Sequence, residues 1–432
     1  MRDSIEGRIG SAGVGAGLID AAAAAAATFL ASVYAVRVLT PENLGAHTLM
    51  FVAVILVTVV PERLVYLPTL AVSVDRGPAE RLGYYREGLR LALPLVPLVA
   101  GFVVMLFLLP DGLSESERVA LTVAGASAAL FHSAQLFGRQ ILHYSNHSGR
   151  AVFASSLRLG VTAASLIILS QSGLPLVAVP LAALAAGNAA AALWVAILRP
   201  SEEAPRLAVR TIYRRGKYLI ASSAAPLAAG FITANLVIAF GGAALLGFAE
   251  AARVVSQPVF VGATGLSMVT NPRVMAAAVA GDPRGVSQAR RLYLSLLGAG
   301  GLGYAAFLAL PGLGSAVEAL LPTAFEITGL VLVSVLAQVA LGMTRPYAAE
   351  AMAVEREPAI LVSELPGAGV MIAFGAAVPV IGAFAIPAGL VGAGLSRTAI
   401  LAFMLRDRSQ APMRQPETSN PLDPVAARKA AE

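Results

Sequence analysis

Apolar residues in this chain are gathered into long runs rather than alternating with polar ones. Twelve runs of about 20 residues or more follow one another with short polar breaks, near 14–38, 44–67, 86–109, 117–141, 149–170, 174–198, 217–240, 243–270, 291–311, 325–345, 358–381 and 384–405. A helix rising 1.5 Å per residue needs about 20 apolar residues to cross roughly 30 Å of hydrocarbon. Lipid offers the backbone no hydrogen-bond partner, and the runs are too long for barrel strands, so each predicts a transmembrane helix. The fold class is therefore an all-α polytopic membrane protein. The first run, with its Ala21–Ala27 tract, exceeds a signal-peptide core of 7–15 residues and is read as a retained helix.

Basic residues orient the spans. The even-numbered connections hold Arg76, Arg81, Arg86 and Arg90; Arg139 and Arg150; Arg199, Arg206, Arg210, Arg214, Arg215 and Lys217; and Arg273, Arg284, Arg290 and Arg291. The other side has little beyond Arg37 and Arg118, and carries Asp111, Glu115 and Glu117. Both termini are expected in the cytoplasm. The longest internal connection, 199–216, divides a first set of six spans (1–198) from a second (217–405), and a polar, proline-bearing tail over 406–432 is read as disordered. The halves echo each other: Leu44-Gly45 opens the second span and Leu246-Gly247 the eighth, 202 residues later. Each of these spans is followed by turn residues and an arginine-rich helix start. Two such lobes, related by a pseudo-twofold axis along the membrane normal, predict a cavity between them.

Composition narrows the function classes. Hydrophobic residues make up 57% and charged residues 13% of the 432, with mean hydropathy +0.76. There is no cysteine, which removes disulfides, thiolate nucleophiles and cysteine metal sites. The net charge of +6 is nearly all arginine, with lysine only at 217 and 429, and no basic tract interleaved with aromatics points to nucleic acid. Neither lysine stands in a nucleotide-binding loop, so ATP does not drive the chain directly, and no connection is long enough for a catalytic domain. No cofactor is implied. His143 and His147 share a helix face at a spacing that can bind metal, but no third ligand accompanies them locally, so no metal site is assigned.

The end of the first span reads VRVLTPENLGAH, and Arg37, Leu39, Pro41, Glu42 and Gly45 there fit an A-R-x-L-G-P-E-x-x-G-x-Y signature, with Thr40 and His47 departing from it. In the eighth span Gly247, Phe248, Ala252, Arg253, Pro258 and Pro272-Arg273 follow a G-L-Y-x-x-A-x-R-x-x-x-x-P pattern. A polar loop near Arg345-Pro346 and a Gly/Ala-rich last span add to the likeness. The chain thus resembles the oligosaccharide and polysaccharide flippases of the multidrug/oligosaccharidyl-lipid/polysaccharide (MOP) exporter superfamily. That resemblance implies a MATE-like fold of twelve helices in two six-helix lobes around a central cavity. It also implies transport of a polyprenyl-diphosphate-linked sugar from the cytoplasmic to the outer leaflet of a bacterial inner membrane, with a polysaccharide polymerase or glycosyltransferases as partners.

A diphosphate needs a wet, cationic path through lipid, and ionisable residues within spans mark its candidates. Arg253 leads them, since arginine's fork suits phosphate oxygens. Glu250 stands three residues earlier on the same face, where it serves either as a coupling acid or as a structural partner. Glu62, a further candidate coupling acid, and Arg63 follow Pro61, which with Pro68 should distort the second span; Arg63 either faces the cavity or snorkels at the interface. Arg37 is a further phosphate candidate, and Asn235 and Gln257 can bond sugar hydroxyls or act as interhelical glue. Asp20, inside the first span, can couple movement to protons or sodium unless interfacial water reaches it. Three rivals stay open: a cation-coupled multidrug exporter of the same superfamily, a transport-inactive scaffold for polysaccharide assembly enzymes, and an intramembrane transferase. The last should show clustered acids or histidines on an outer loop, and none is present.

Overall fold

Helix starts are written into the local sequence. Thr40 accepts the Asn43 N–H at 3.3 Å ahead of Pro41, and Ser114 and Glu117 form a reciprocal capping box. Asp282 caps the helix that opens at Pro283 by accepting the Arg284 N–H at 3.1 Å. These side chains satisfy amide groups that have no partner inside the helix. The structure is a computed structural model and describes residues 11–73, 78–198, 205–310, 325, 329–354 and 356–406. Among them twelve helical segments are long and apolar enough to cross a membrane. In chain order they are α1 (Ser11–Val38), α2 (Pro41–Leu70), α3 (Gly83–Leu108), α4 (Glu115–Tyr144), α5 (Ser148–Ser170), α6 (Val179–Ile197), α7 (Val209–Gly241), α8 (Ala243–Val279), α9 (Pro283–Ala309), α10 (Leu330–Ala353), α11 (Glu357–Ala376) and α12 (Ala385–Arg406). The protein is a multi-pass membrane protein.

Most predicted spans agree with these helices to within a few residues. The exceptions have local causes. Helices α7 and α9 begin eight residues before the predicted spans at 217 and 291, because their first turns are arginine-rich and amphipathic and escape a hydropathy reading, and α8 runs to Val279, nine residues past the predicted end at 270. The second half of the expected linker is therefore helical. Helix α10 breaks at Thr344, ahead of Pro346, and then continues to Ala353. A π-helical turn over Glu62–Tyr66 lies between Pro61 and Pro68, the distortion expected ahead of Pro68, which lacks the N–H that would bond the Leu64 carbonyl. In α3, Pro94 and Pro97 fall within a 3-10 stretch, Leu93–Val104, far longer than the usual three or four residues. The tail beyond residue 406, like residues 1–10, 199–204 and 311–324, lies outside the described residues.

Within the first six helices α6 packs on α4 and α5, α1 on α5, and α2 on α4; within the second six α11 packs on α7 and α12, and α8 on α9 and α10. Between the sets, α2 crosses α8 and α7. The crossing of α2 and α8 is reciprocal. Gly45 lies against the carbonyl of Ala243, and Gly247 against the carbonyl of Pro41. Each pair of equivalents, Gly45 with Gly247 and Pro41 with Ala243, is separated by the same 202 residues. A contact that exchanges its two members in this way is the signature of a twofold relation. Leu44, Leu49 and Leu246, all buried, extend the seam into one apolar core with Val254 and Val255. This end of the bundle is opposite the arginine-rich connections.

At the arginine-rich end the connection between the sets is docked on α3. Glu87 accepts the Leu207 N–H at 2.6 Å, Arg90 donates to the Leu207 carbonyl at 2.9 Å, and Tyr213 donates to the Leu91 carbonyl at 3.1 Å. Arg90 also binds Glu87 through two nitrogens, at 2.8 and 2.6 Å.

Candidate functional site

Helix α2 and the second set of helices enclose a cavity of about 280 Å³. Thr48, Phe51 and Ile55 of α2 form one wall; Gly230 of α7, Ser334 and Gln338 of α10 and Pro387 of α12 contribute to the other. The lining is mostly apolar, and its two charges stand together on α8. Arg253 donates from Nε to Glu250 Oε2 at 2.7 Å and from Nη2 to Oε1 at 2.6 Å. The Glu250 side chain is 8% exposed and that of Arg253 32%, so the carboxylate is sealed while the guanidinium still faces open space. Arginine has five N–H donors and Glu250 takes two, which leaves a fork for an anionic oxygen. A second cavity of about 300 Å³, between α3 and helices α2, α4 and α6, offers only the hydroxyls of Tyr66, Tyr85 and Ser133 and no charge. It suits hydrocarbon rather than chemistry.

The other sequence candidates are placed less uniformly. Gln257 lies one turn beyond Arg253 on the same face, buried, with Oε1 unpartnered. Asn235 donates to the Phe231 carbonyl of its own helix at 2.8 Å and is not part of the cavity wall. Arg37 is exposed at the end of α1. Arg63 stands in the π-helical turn, 3.7 Å from Glu62, with Nε sealed from solvent and unpartnered. Neither arginine lines the cavity: Arg37 ends α1, and Arg63 stands about two turns beyond Ile55, where the α2 wall of the cavity stops.

Asp20 belongs to a different assembly, inside the first set of helices. Arg139 reaches it through Nη2 at 2.6 Å, His143 Nε2 lies 2.9 Å away, and Ser155 donates to Oδ1 at 2.5 Å. One turn deeper, Arg158 donates to Asn188 at 2.7 Å, to the Ala24 carbonyl at 2.8 Å and to Thr28 at 2.9 Å. The signals in the sequence were the spacings Arg139/His143 and Ser155/Arg158, each of which sets two polar side chains on one helix face. His143 is thereby committed to Asp20 and to Ser148, and His147, in the turn between α4 and α5, is held below the ordinary imidazole range by burial and by Arg150. Among the described residues no group of three metal-ligand side chains occurs. Asp20→Asn leaves Arg139 without its counter-charge in a site only 3% and 16% exposed. It is expected to cost about 3 kcal/mol, with stability regained in the Asp20→Asn/Arg139→Gln double variant. Thermal unfolding in detergent checks this, and equal midpoints for wild type and Asp20→Asn would remove the pair from the stability of the fold.

No family model matches the chain, and no curated protein matches it. Solved structures do. An inward-facing multidrug resistance MATE family transporter of the MOP superfamily superposes with a TM-score of 0.70 at 15% identity, covering 89% of this chain and 94% of that one. An outward-facing multidrug resistance MATE family transporter gives 0.62 at 15% identity, with 90% and 93% covered. The lipid II flippase MurJ, in an inward closed conformation, gives 0.64 at 11% identity, with 89% and 86% covered. The chain has the fold of the MOP-superfamily transporters.

Proposed function

We infer that this protein is a bacterial inner-membrane flippase that carries a polyprenyl-diphosphate-linked oligosaccharide from the cytoplasmic to the outer leaflet by alternating access. The observation that carries the reading is Arg253: a guanidinium within a membrane span, turned into a cavity between two lobes, with donors left for an anion. With the arginine-rich connections in the cytoplasm, the α2–α8 seam is an outer gate and the present state is closed to the outside. Both termini are then cytoplasmic. The higher TM-score with the inward-facing transporter than with the outward-facing one agrees with that assignment.

Glu250 gives the cavity a release mechanism. An incoming diphosphate competes with the carboxylate for Arg253, so binding is an exchange of one anion for another rather than capture by a bare cation. When the diphosphate leaves at the outer face, Glu250 recaptures Arg253 and opposes rebinding. Protonation of Glu250 would free Arg253 for its cargo, which makes this acid the proposed coupling point. Asp20, tied to three donors, stands outside that exchange.

The second reading, a cation-coupled multidrug exporter, is favoured by Glu250 and the apolar lining, which an amphipathic cation could use. Reconstitution separates the two. Liposomes containing the protein are expected to flip a fluorescent short-chain polyprenyl-diphosphate disaccharide faster than protein-free liposomes. Acceleration of cationic dye efflux with none for the diphosphate lipid would transfer the protein to the exporter class.

A further inference from the structure

Beyond Arg253, helix α8 carries a polar stripe toward the arginine-rich end. Glu250, Arg253, Gln257, Thr264, Ser267 and Asn271 are separated by steps of three, four, seven, three and four residues. At 3.6 residues per turn those steps keep one face. Phe260 occupies the place between Gln257 and Thr264. Gln257 is 9% exposed with its Oε1 unpartnered, so the stripe holds a buried acceptor that the protein itself does not satisfy.

Arg345 meets this stripe from the break in α10. Its guanidinium carbon lies 5.2 Å from the centroid of the Phe260 ring, and Nη1 donates to Ser267 Oγ at 3.2 Å. The contrast with five other arginines of the spans is chemical. Arg139, Arg253, Arg290 and Arg397 each bind a carboxylate, and Arg158 spends its donors on Asn188, Thr28 and the Ala24 carbonyl. Arg345, among the described residues, spends one N–H on a hydroxyl and its flat face on an aromatic ring, and meets no carboxylate. Nor is any of its nitrogens sealed without a partner, as Nε is in Arg63, Arg290 and Arg397. Its remaining N–H groups therefore open onto accessible space. A full positive charge, oriented by a ring and a hydroxyl and left without a counter-ion, is a prepared seat for an anion.

We propose that Arg345, seated on Phe260 and Ser267, is a second binding station for the substrate's diphosphate, on the arginine-rich side of the cavity and ahead of Arg253. The proposal rests on the reading of the cavity as a prenyl-diphosphate path. Arg345 meets α8 between Phe260 and Ser267, about 15 Å along the helix axis from Arg253 at 1.5 Å per residue, so one diphosphate cannot bind both. The stations act in sequence. Headgroups arriving from the cytoplasmic leaflet are held at Arg345 until the Glu250–Arg253 pair exchanges.

The test is equilibrium binding of radiolabelled farnesyl diphosphate to the full chain in nanodiscs, with inorganic diphosphate and farnesol as competitors. In a Glu250→Gln/Arg253→Gln background, which empties the first station without leaving a stray charge, binding that inorganic diphosphate displaces and farnesol does not is expected to remain. Adding Arg345→Gln should remove that remainder, at least tenfold in affinity, while Arg345→Lys, which keeps the charge, should lose about threefold. In the otherwise native chain Arg345→Gln should raise the half-saturating substrate concentration about tenfold and leave the maximal flipping rate within twofold. Should Arg345→Gln not fold, Phe260→Leu with Ser267→Ala removes the seat and is expected to weaken the residual binding about threefold. Residual binding that ignores both changes, or no residual binding at all, overturns the second station and leaves the Arg253 reading standing. Failure of the native chain to bind farnesyl diphosphate overturns both.

Discussion

Arg253→Gln is expected to abolish flipping of the diphosphate lipid, by at least a hundredfold, and a pair of companion variants shows why. The single change removes the cation and also leaves Glu250, 8% exposed, as an uncompensated carboxylate in the cavity. Breaking a buried pair from one side costs about 3–5 kcal/mol, so this variant should be both inactive and less stable. The Glu250→Gln/Arg253→Gln double variant removes both charges and should recover most of the stability while staying inactive. Glu250→Gln alone leaves Arg253 unopposed. It should bind farnesyl diphosphate more tightly than wild type and flip more slowly, because nothing displaces the cargo at the outer face. Binding and flipping in reconstituted membranes, beside a thermal midpoint for each protein, separate these outcomes. An active double variant would show that Arg253 is a structural partner of Glu250 and nothing more.

The glycine crossing carries the second large effect. A methyl on Gly45 would collide with the carbonyl of Ala243, and one on Gly247 with that of Pro41; in both cases the obstacle is backbone, which has no rotamer to yield. Overpacking of this kind costs about 1–3 kcal/mol. The cost falls only on the state in which α2 and α8 touch, so Gly45→Ala and Gly247→Ala should each shift the protein toward the outward-open state, roughly 30-fold for about 2 kcal/mol. The natural chain has no cysteine, so a single one introduced at Thr48, on the cavity wall near the seam, reports the opening cleanly. Its labelling by a membrane-impermeant maleimide from the outside should rise at least tenfold in either glycine variant. Gly265→Ala, where no atom lies within 4 Å of the added methyl, is the control and should change nothing. Unchanged labelling in Gly45→Ala would mean that the crossing is not a gate.

How much of this was legible beforehand depended on what kind of signal each feature leaves. Twelve spans are legible because lipid imposes length and apolarity on every one of them. The repeat was legible in Leu44-Gly45 and Leu246-Gly247, and the structure supplies the reason: each glycine makes room for the other lobe's backbone. Glu250 and Arg253 were legible as neighbours on one face, and their bidentate contact follows from that spacing. The early starts of α7 and α9 were hidden because amphipathic turns at a water interface look polar. The partners of Asp20 come from α4 and α5, more than a hundred residues away, and nothing local announces which arginine will reach it. Arg37 and Arg63 show the limit of composition: both are cations near spans, and neither lines the cavity, since one sits at a helix end and the other about two turns past its wall.

On the alternating-access reading proposed above, the hold of Glu87 and Arg90 on Leu207 bears on how force would be transmitted between the two sets of helices. A leash clipped to one partner cannot act as slack between two. The peptide before α7 must ride with the first six helices, and the bending must gather in the short stretch from Tyr213 to the membrane-embedded part of α7. There Gly216 lies against the backbone of Leu64, at the π turn of α2. An unbroken turn of α7 thus bears on the irregular turn of α2 near the arginine-rich end, and on the alternating-access reading proposed above the pivot of the motion belongs there.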